Sequence, residues 1–334
     1  MKLHRGHTFE HDKQTSKSSL MKKIILSCTA VMFCVSIFAQ NTTTLKMNLE
    51  KNKVYRLKSV SEQSVTQTMN GVQQTTESEV NYTISLKMID ATADFLITEI
   101  RFDTLVTNTN TMGKIAKYSS VDEGDIKSTE SADVISCIMN RLSKNAIYVK
   151  MDFTGKPLEI VNQKMLSDII LKDTSSIVLT GPTADAVKKQ MINTVSVSEL
   201  KTMIELFTWN LPGREVKVGD DWKITQQISS GGLMLDIITT YRLAGIDGNN
   251  ARITAESSIK TAANAVPIQS GGATVTYDDI QGLTRSNMVV DTLTGLIVET
   301  TGKTHITGNL GISAPGFSMQ MPMDINGESK VVSL

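Results

Sequence analysis

The chain predicts a mainly β, α+β protein: two similar antiparallel β halves forming one curved sheet or a sandwich, with a short helical region between them. Three observations predict it. Apolar residues alternate with period two through long stretches from Leu45 onward, which sets one face of each strand on a core and the other in water. Between Val161 and Trp209 the spacing becomes helical. Blocks of the first β region then recur, in the same order, in the second.

Residues 1–39 stand apart from the fold. Met21-Lys22-Lys23 followed by the apolar run Ile24–Phe38 has the layout of a secretory signal peptide, with Met21 as the start, an extension upstream of it and cleavage after Ala39. Ser27, Cys28, Thr29 and Ser36 interrupt the run, and a membrane-spanning helix needs about 20 mainly apolar residues. No later stretch qualifies, so the mature chain is expected to have no transmembrane span. Lipidation at Cys28 or Cys34 is the competing reading. Cys28 has too little apolar chain before it, and Cys34 follows Phe33 where a small residue is wanted. The expected address is export, to the periplasm or the outer membrane of a gram-negative bacterium. His4, His7 and His11 would be lost with this segment.

Removing residues 1–39 takes six Lys/Arg and two Asp/Glu from totals of 34 and 34, leaving 28 against 32. A mildly acidic chain gives no electrostatic reason to bind nucleic acid, which demands a clustered basic surface. Cys137 alone survives processing, so no intrachain disulfide can form. Among Val134, Ile135, Ile138 and Leu142 it reads as a small buried residue of a short helical pattern.

The first β half covers residues 40–160. Leu45, Met47 and Leu49 alternate, and so does Val54–Val60. Met69-Asn70-Gly71-Val72 supplies a tight hairpin, because Asn-Gly tolerates positive φ. Tyr82–Met88 and Phe95–Asn108 continue the sheet, Asn110–Glu130 reads as an exposed loop, and Thr154-Gly155-Lys156 joins another pair of strands. The connector, residues 161–210, predicts three short helices: one around Met165–Ile170, one around Ala184–Met191 after the break at Gly181-Pro182, and one opened by Ser198 with Leu200, Met203, Ile204 and Phe207 as its apolar stripe. The second β half, residues 211–334, reads as Trp222–Ser229, Leu233–Ile246, Ala251–Ile259, Val275–Ile280, Thr284–Asp291, Leu296–Gly302, His305–Leu310 and Met319–Val332, with turns rich in Gly, Asn and Asp.

The repeat rests on three blocks. At an offset of 157 residues, Leu86, Ile89, Asp90 and Glu99 fall on Leu243, Ile246, Asp247 and Glu256. Tyr55-Arg56-Leu57 resembles Trp222-Lys223-Ile224. Val149–Asp152 leading to Gly155 resembles Met288–Asp291 leading to Gly295, with one extra residue in the second copy. Each copy would form a ribbon whose apolar face is incomplete alone, and joining edge to edge or packing face to face would bury it.

The stretch Leu211-Pro-Gly-Arg-Glu-Val-Lys-Val-Gly-Asp-Asp-Trp-Lys-Ile224 resembles the signature of an uncharacterised family of exported bacterial proteins, a domain of unknown function. The resemblance implies a shared fold over most of the mature chain and carries no assigned activity. A curved antiparallel sheet covered by short helices is also similar, in architecture alone, to periplasmic lipoprotein carriers.

The motifs of enzyme chemistry do not assemble. After residue 39 the chain keeps a single histidine, His305, and zinc needs three or four ligands drawn chiefly from Cys and His. Asp220-Asp221 and Asp278-Asp279 read as turn and strand-end residues. Asp122-Glu123-Gly124-Asp125 lacks the spacing of a calcium loop. No catalytic residue, metal or cofactor is therefore expected. The expectation is a non-enzymatic envelope protein that binds an apolar ligand such as a lipid or acyl chain, in a pocket lined by Met203, Phe207, Trp209 and Trp222 between the sheet and the helices. The alternative is a structural or protein-interaction scaffold of the envelope with no small ligand and an envelope protein as partner.

Overall fold

Strands in each half follow one another up and down because short turns join most of them, and short turns force antiparallel neighbours. The computed structural model describes residues 42–69, 71–180, 184–193, 195–230, 233–270 and 272–334. The expected signal segment, Asn70, the Gly181-Pro182 break and Gly231-Gly232 lie outside the described residues.

The first half contains β1 (Thr42–Leu45), β2 (Val54–Met69), β3 (Val72–Ala91), β4 (Leu96–Thr111), β5 (Lys114–Ser119), α1 (Ser131–Ser143), β6 (Ile147–Met151) and β7 (Pro157–Ile160). Three helices follow, α2 (Gln163–Ile170), α3 (Ala184–Asn193) and α4 (Val197–Thr208). The second half contains β8 (Arg214–Lys217), β9 (Asp221–Ser230), β10 (Leu233–Asp247), β11 (Asn250–Thr261), β12 (Ile268–Ser270), β13 (Ala273–Asp291), β14 (Ile297–Ala314) and β15 (Phe317–Ser333).

Several expectations change in detail. The polar stretch after Asn110 is partly a strand, β5, because Asn110↔Ile115 and Thr107↔Tyr118 pair it back onto β4. The two strands expected on either side of Gln281-Gly282 are one, β13, bent by an irregularity between Asp278 and Gln281. A second pair likewise fuses into β14. Glycine weakens a strand without ending it when neighbouring ladders hold both sides. The cap of α4 is Ser196 and not Ser198: its hydroxyl accepts the Glu199 N–H at 3.2 Å, the Ser-x-x-Glu spacing of a capping box.

One sheet takes in all strands but β1 and β8, which pair with each other. Its order is β7-β6-β4-β3-β2-β15-β14-β13-β11-β10-β9, with β5 beside β4 and β12 beside β13. The halves therefore join edge to edge through β2 and β15, from Met323↔Gln67 to Ser333↔Leu57. The sheet is curved and open, and the sandwich alternative does not apply. Pro322 sits in β15 one residue before this pairing starts, where its missing N–H leaves no ladder bond unmade.

The repeat is written in the ladders. In the first copy Met88↔Thr98 and Ala91↔Leu96 flank a bulge at Ile89. In the second, Leu243↔Ile253 and Ile246↔Ala251 flank a bulge at Ala244. Ladder and bulge coincide at a separation of 155 residues, not 157. A slip of two keeps every side chain on its own face, which is why the matched identities fell two residues out. The other blocks align as read: Tyr55 pairs with Leu86 where Trp222 pairs with Tyr241, and Gly155 and Gly295 turn equivalent hairpins at φ 88° and 75°.

Reading across these ladders assigns the faces. The outer face carries most of the charge. The inner face has three zones along the strands. At the end where β3 turns into β4 and β10 into β11, called proximal here, Leu57, Ile84, Leu86, Ile100 and Phe102 join Tyr241, Leu243, Ile253 and Val290 in one core. Helices α1 to α4 complete that core with Val134, Leu166, Leu200, Ile204 and Phe207. The alternating Leu45, Met47 and Leu49 are buried there too. They form no long ladder. Instead Met47 donates its N–H to Phe153 O at 2.8 Å and Asn48 to Thr294 O at 2.9 Å, so the segment threads between a hairpin of each copy.

Candidate functional site

The four residues expected to line a pocket are brought together, and they sit in the proximal core. Phe207 is buried on α4, while Met203 and Trp209 are partly buried against the core. Trp222 is buried on β9, stacked on Tyr241 with ring centroids 5.4 Å apart and planes 7° from parallel. Its indole Nε1–H donates to Asn210 O at 3.0 Å. The Lys156 ammonium lies 4.3 Å from the Trp209 ring centroid, a cation–π contact. Burial pushes the Tyr241 phenol up to about 12, against a smaller lowering by its hydrogen bond with Thr239. Trp222 and Asn210 thus tie the chain after α4 to the last strand of the sheet, while Trp209 with Lys156 ties it to the β6–β7 hairpin.

Beyond the core the inner face changes character twice. A belt of small polar residues comes first. Thr239 and Ser257 hydroxyls meet at 2.8 Å, as do those of Thr284 and Thr304. Past the belt, and past every helix among the described residues, lies a second apolar cluster of Leu235, Ile259, Ile280 and Met323, joined by Val65, Ile237, Ile306 and Ile325. Direct cross-strand pairs make it a stripe: Ile237↔Ile259, Ile259↔Gly282, Gly282↔Ile306, Ile306↔Ile325 and Ile325↔Val65. At Gly282 a side chain would run into Ile306, so the missing Cβ lets the isoleucine fill the stripe. Towards the strand ends β15 adds Met319 and Met321 opposite Ile312 and Leu310. Burial also raises the pKa of the Tyr277 phenol in this cluster.

The methionine run was visible in the sequence. The isoleucines and Val65 were legible only as alternating residues of separate strands: counting pairs outward from the β14–β15 hairpin aligns Ile306 with Ile325, but the β15–β2 pairing that adds Val65 joins distant segments and has no hairpin to count from.

Two surface concavities, of about 470 and 480 Å³, contain none of the four expected residues. One is polar, lined by Thr66, Gln73, Asp279, Gln281, Asn309 and Asp324 among others. The other runs along Arg252, Thr254, Asn287, Glu299 and Thr301. Both are lined mainly by outer-face side chains.

The remaining polar candidates have structural partners. Asp220 Oδ2 accepts the Lys217 N–H at 3.1 Å and closes the turn before β9. Asp125 Oδ1 accepts from Lys127 N at 2.9 Å. Asp278 accepts from Thr276 Oγ1 and Gln320 Nε2. His305 Nε2 lies 2.9 Å from Asp324 Oδ2 on the outer face. Cys137 is buried in α1. No helix among the described residues is long and apolar enough to cross a membrane.

Comparison with known proteins adds a family and several distant likenesses of shape. A model described as a family of unknown function, DUF6263, matches residues 93–297. No curated protein matches. A structure titled for lipid–protein interactions in lipovitellin is similar over 86% of this chain at 10% identity and a TM-score of 0.43; the chain spans 25% of that one. An outer membrane channel from Pseudomonas putida F1 is similar over 86% of this chain and 97% of its own, at 7% identity and a TM-score of 0.27. Pseudomonas aeruginosa OccK7 is similar over 84% and 99%, at 7% identity and a TM-score of 0.22. At these scores the likenesses carry no argument about function.

Proposed function

The chain belongs to the family of unknown function DUF6263, and from that premise we propose that it is a non-enzymatic exported protein of the cell envelope, periplasmic or associated with the outer membrane of a gram-negative bacterium, that binds an apolar ligand such as a lipid or acyl chain. The family brings no activity with it, so the reading stands on the chain's own residues. The observation that carries it is the second apolar cluster: Ile237, Ile259, Ile306, Ile325 and Val65 cross the inner face where no described helix covers them. Leu235, Ile259, Ile280, Met321 and Met323 are already buried against their neighbours on the curved face, while Val65, Ile237, Ile306, Met319 and Ile325 stay half-buried, and the apolar surface these leave is unfavourable in water at about 25 cal/mol per Å². A flexible acyl chain laid along the strands would cover it, and the unbranched thioethers of Met319, Met321 and Met323 suit a ligand of variable shape. The polar belt separates this cluster from the filled proximal core, which keeps its own packing whether or not a ligand is present. Export is supported by the signal-like layout of Met21–Ala39.

The test is native mass spectrometry of the full chain purified from its own cells, with solvent extraction of whatever accompanies it. A bound lipid or other apolar molecule is expected, and Ile306→Asn with Met321→Gln should reduce its occupancy at least about tenfold while circular dichroism stays unchanged. A folded chain that arrives empty and takes up no fatty acid or phospholipid overturns the reading. It leaves the scaffold alternative, in which an envelope protein is the partner.

A further inference from the structure

Three of the chain's 17 methionines, Met319, Met321 and Met323, fall within five residues of β15. Alternation puts all three on the inner face, about 6.8 Å apart along the strand. Their ladder partners on β14 are Ile312, Leu310 and Gly308. A fourth methionine approaches from the other side. The β15–β2 ladder ends at Met323↔Gln67, and the same count carried two residues further sets Met69, the last residue of β2, beside Met321. Met321 and Met323 are buried, while Met69 and Met319 are half-buried. Four thioethers thus border one patch of the inner face, at the end opposite the proximal core.

The rest of the patch is neutral. Val275 and Tyr277 stand beyond Ile312 and Leu310, and Gln74 and Val72 stand beyond Gln67 and Met69. These rows contain no Asp, Glu, His or Cys. Asp278 and Asp324 belong to the outer-face rows of the same strands. Packing alone would be served as well by leucine, which has nearly the same volume. What only methionine adds is a soft sulfur donor. Its unbranched side chain, with three rotatable bonds, lets sulfurs on neighbouring positions turn toward a common point. Calcium and magnesium take oxygen ligands, and zinc takes chiefly Cys and His. A divalent ion would also find no carboxylate here to balance its charge. A soft monovalent ion needs less compensation and prefers thioethers.

We infer that Met69, Met319, Met321 and Met323 form a site for a soft monovalent metal ion of the copper(I) class, held by thioether sulfurs. Met321 and Met323 supply the buried ligands at its base. Met69 and Met319 complete the set and, being half-buried, leave a way in from the inner face. The ligand reading uses these side chains only as apolar surface, so the metal site goes beyond it and holds independently of it.

The experiment uses the full chain, labelled with carbon-13 at the methionine methyl groups and titrated with silver(I), a redox-stable stand-in for copper(I). The methyl signals of Met69, Met319, Met321 and Met323 should shift together while those of the other methionines stay in place, and zinc(II) should move none of the four. Copper(I) should be retained in anaerobic competition with bicinchoninate, one ion per chain. Met321→Leu with Met323→Leu should weaken that retention at least about a hundredfold, since even the groups behind metal ligands are worth about 10–100-fold in affinity. Leucine conserves the volume, so circular dichroism and thermal midpoint should match the parent. Met69→Leu with Met319→Leu, at half-buried positions that carry less of the packing, should show a loss in the same direction, and Met165→Leu on α2 should show none. A parent chain that yields its copper(I) to bicinchoninate, silver shifts spread evenly over all the methionines, or a double variant that binds like the parent overturns the inference. Leucine keeps the patch apolar, so the two readings fail separately. A chain that carries lipid but shifts none of the four methionines sinks this inference alone; one that holds copper(I) but never lipid sinks the ligand reading alone.

Discussion

Asn52 and Gly219 occupy the same place in the two copies. Each has positive φ, 65° and 96°, and each donates its N–H at 2.8 Å to a strand carbonyl, Met88 O for Asn52 and Leu243 O for Gly219. The acceptors are themselves matched, since Met88 and Leu243 stand next to the equivalent bulges of β3 and β10. In both copies a tight turn clips the chain onto the second strand of the meander just before the first strand begins. Asparagine and glycine are the residues that tolerate this conformation at least cost.

That equivalence separates two glycine substitutions. At Gly219 an added Cβ meets nothing, so Gly219→Ala should cost only the strain of positive φ, about 1–2 kcal/mol. At Gly155, also at positive φ, the Cβ would run into the Thr208 carbonyl at the end of α4. Gly155→Ala should therefore force α4 off the β6–β7 hairpin and cost more than Gly219→Ala by about 2 kcal/mol or more. Urea unfolding measures both, and equal midpoints would contradict the packing described for Gly155.

Trp222→Phe keeps an aromatic ring over Tyr241 but removes the indole N–H from Asn210 O. Asn210 is buried and its Oδ1 already lacks a partner among the described residues. A second unpaired oxygen should cost about 1–3 kcal/mol, read by urea denaturation, whereas Trp222→Ala should cost about 3–5 kcal/mol through the cavity it leaves.

Alkaline stability should depend on Tyr241. Its folded pKa is raised to about 12 by burial, so the unfolded chain loses the proton first. Stability is unaffected below pH 10 and falls as pH rises from about 10 to about 12, by about 3 kcal/mol in full. Tyr241→Phe should flatten that part of the stability–pH curve while leaving neutral stability within about 1.5 kcal/mol.

Acid stability should depend in part on Glu99. Burial opposes its ionisation, but hydrogen bonds and charge from Lys87 and Arg101, both at 2.8 Å, outweigh burial and hold its carboxyl below the ordinary value. A depressed carboxylate contributes stability that is present at neutral pH and lost as pH falls through the folded pKa. Glu99→Gln should reduce stability at pH 7 and remove that portion of the acid dependence. A variant with the parent's acid profile would show that the pair does not persist in solution.

The sequence by itself determined most of the strands, the three helices of the connector and the hairpin turns, and pointed to a repeat, because alternation, helical spacing and positive-φ residues are local signals; it missed β5 and divided β13 and β14. Tyr55 with Trp222 and Gly155 with Gly295 were legible for the same reason. Met203, Phe207, Trp209 and Trp222 read as neighbours because they lie within 20 residues of one another in the sequence, and the structure places them in or against the proximal core. What only the tertiary structure decided is everything set by hydrogen-bond register between distant segments. The repeat separation of 155 residues depends on where the bulges at Ile89 and Ala244 fall, and a two-residue slip changes no side chain's face. The joining of β2 to β15 depends on two edge strands at opposite ends of the chain finding each other. The distal stripe needs Ile237, Ile259, Ile306, Ile325 and Val65 aligned across five ladders, and each contributes one ordinary alternating residue to its own strand. A pattern of period two tells a residue which face it occupies; its neighbour on that face is fixed only when the strands pair.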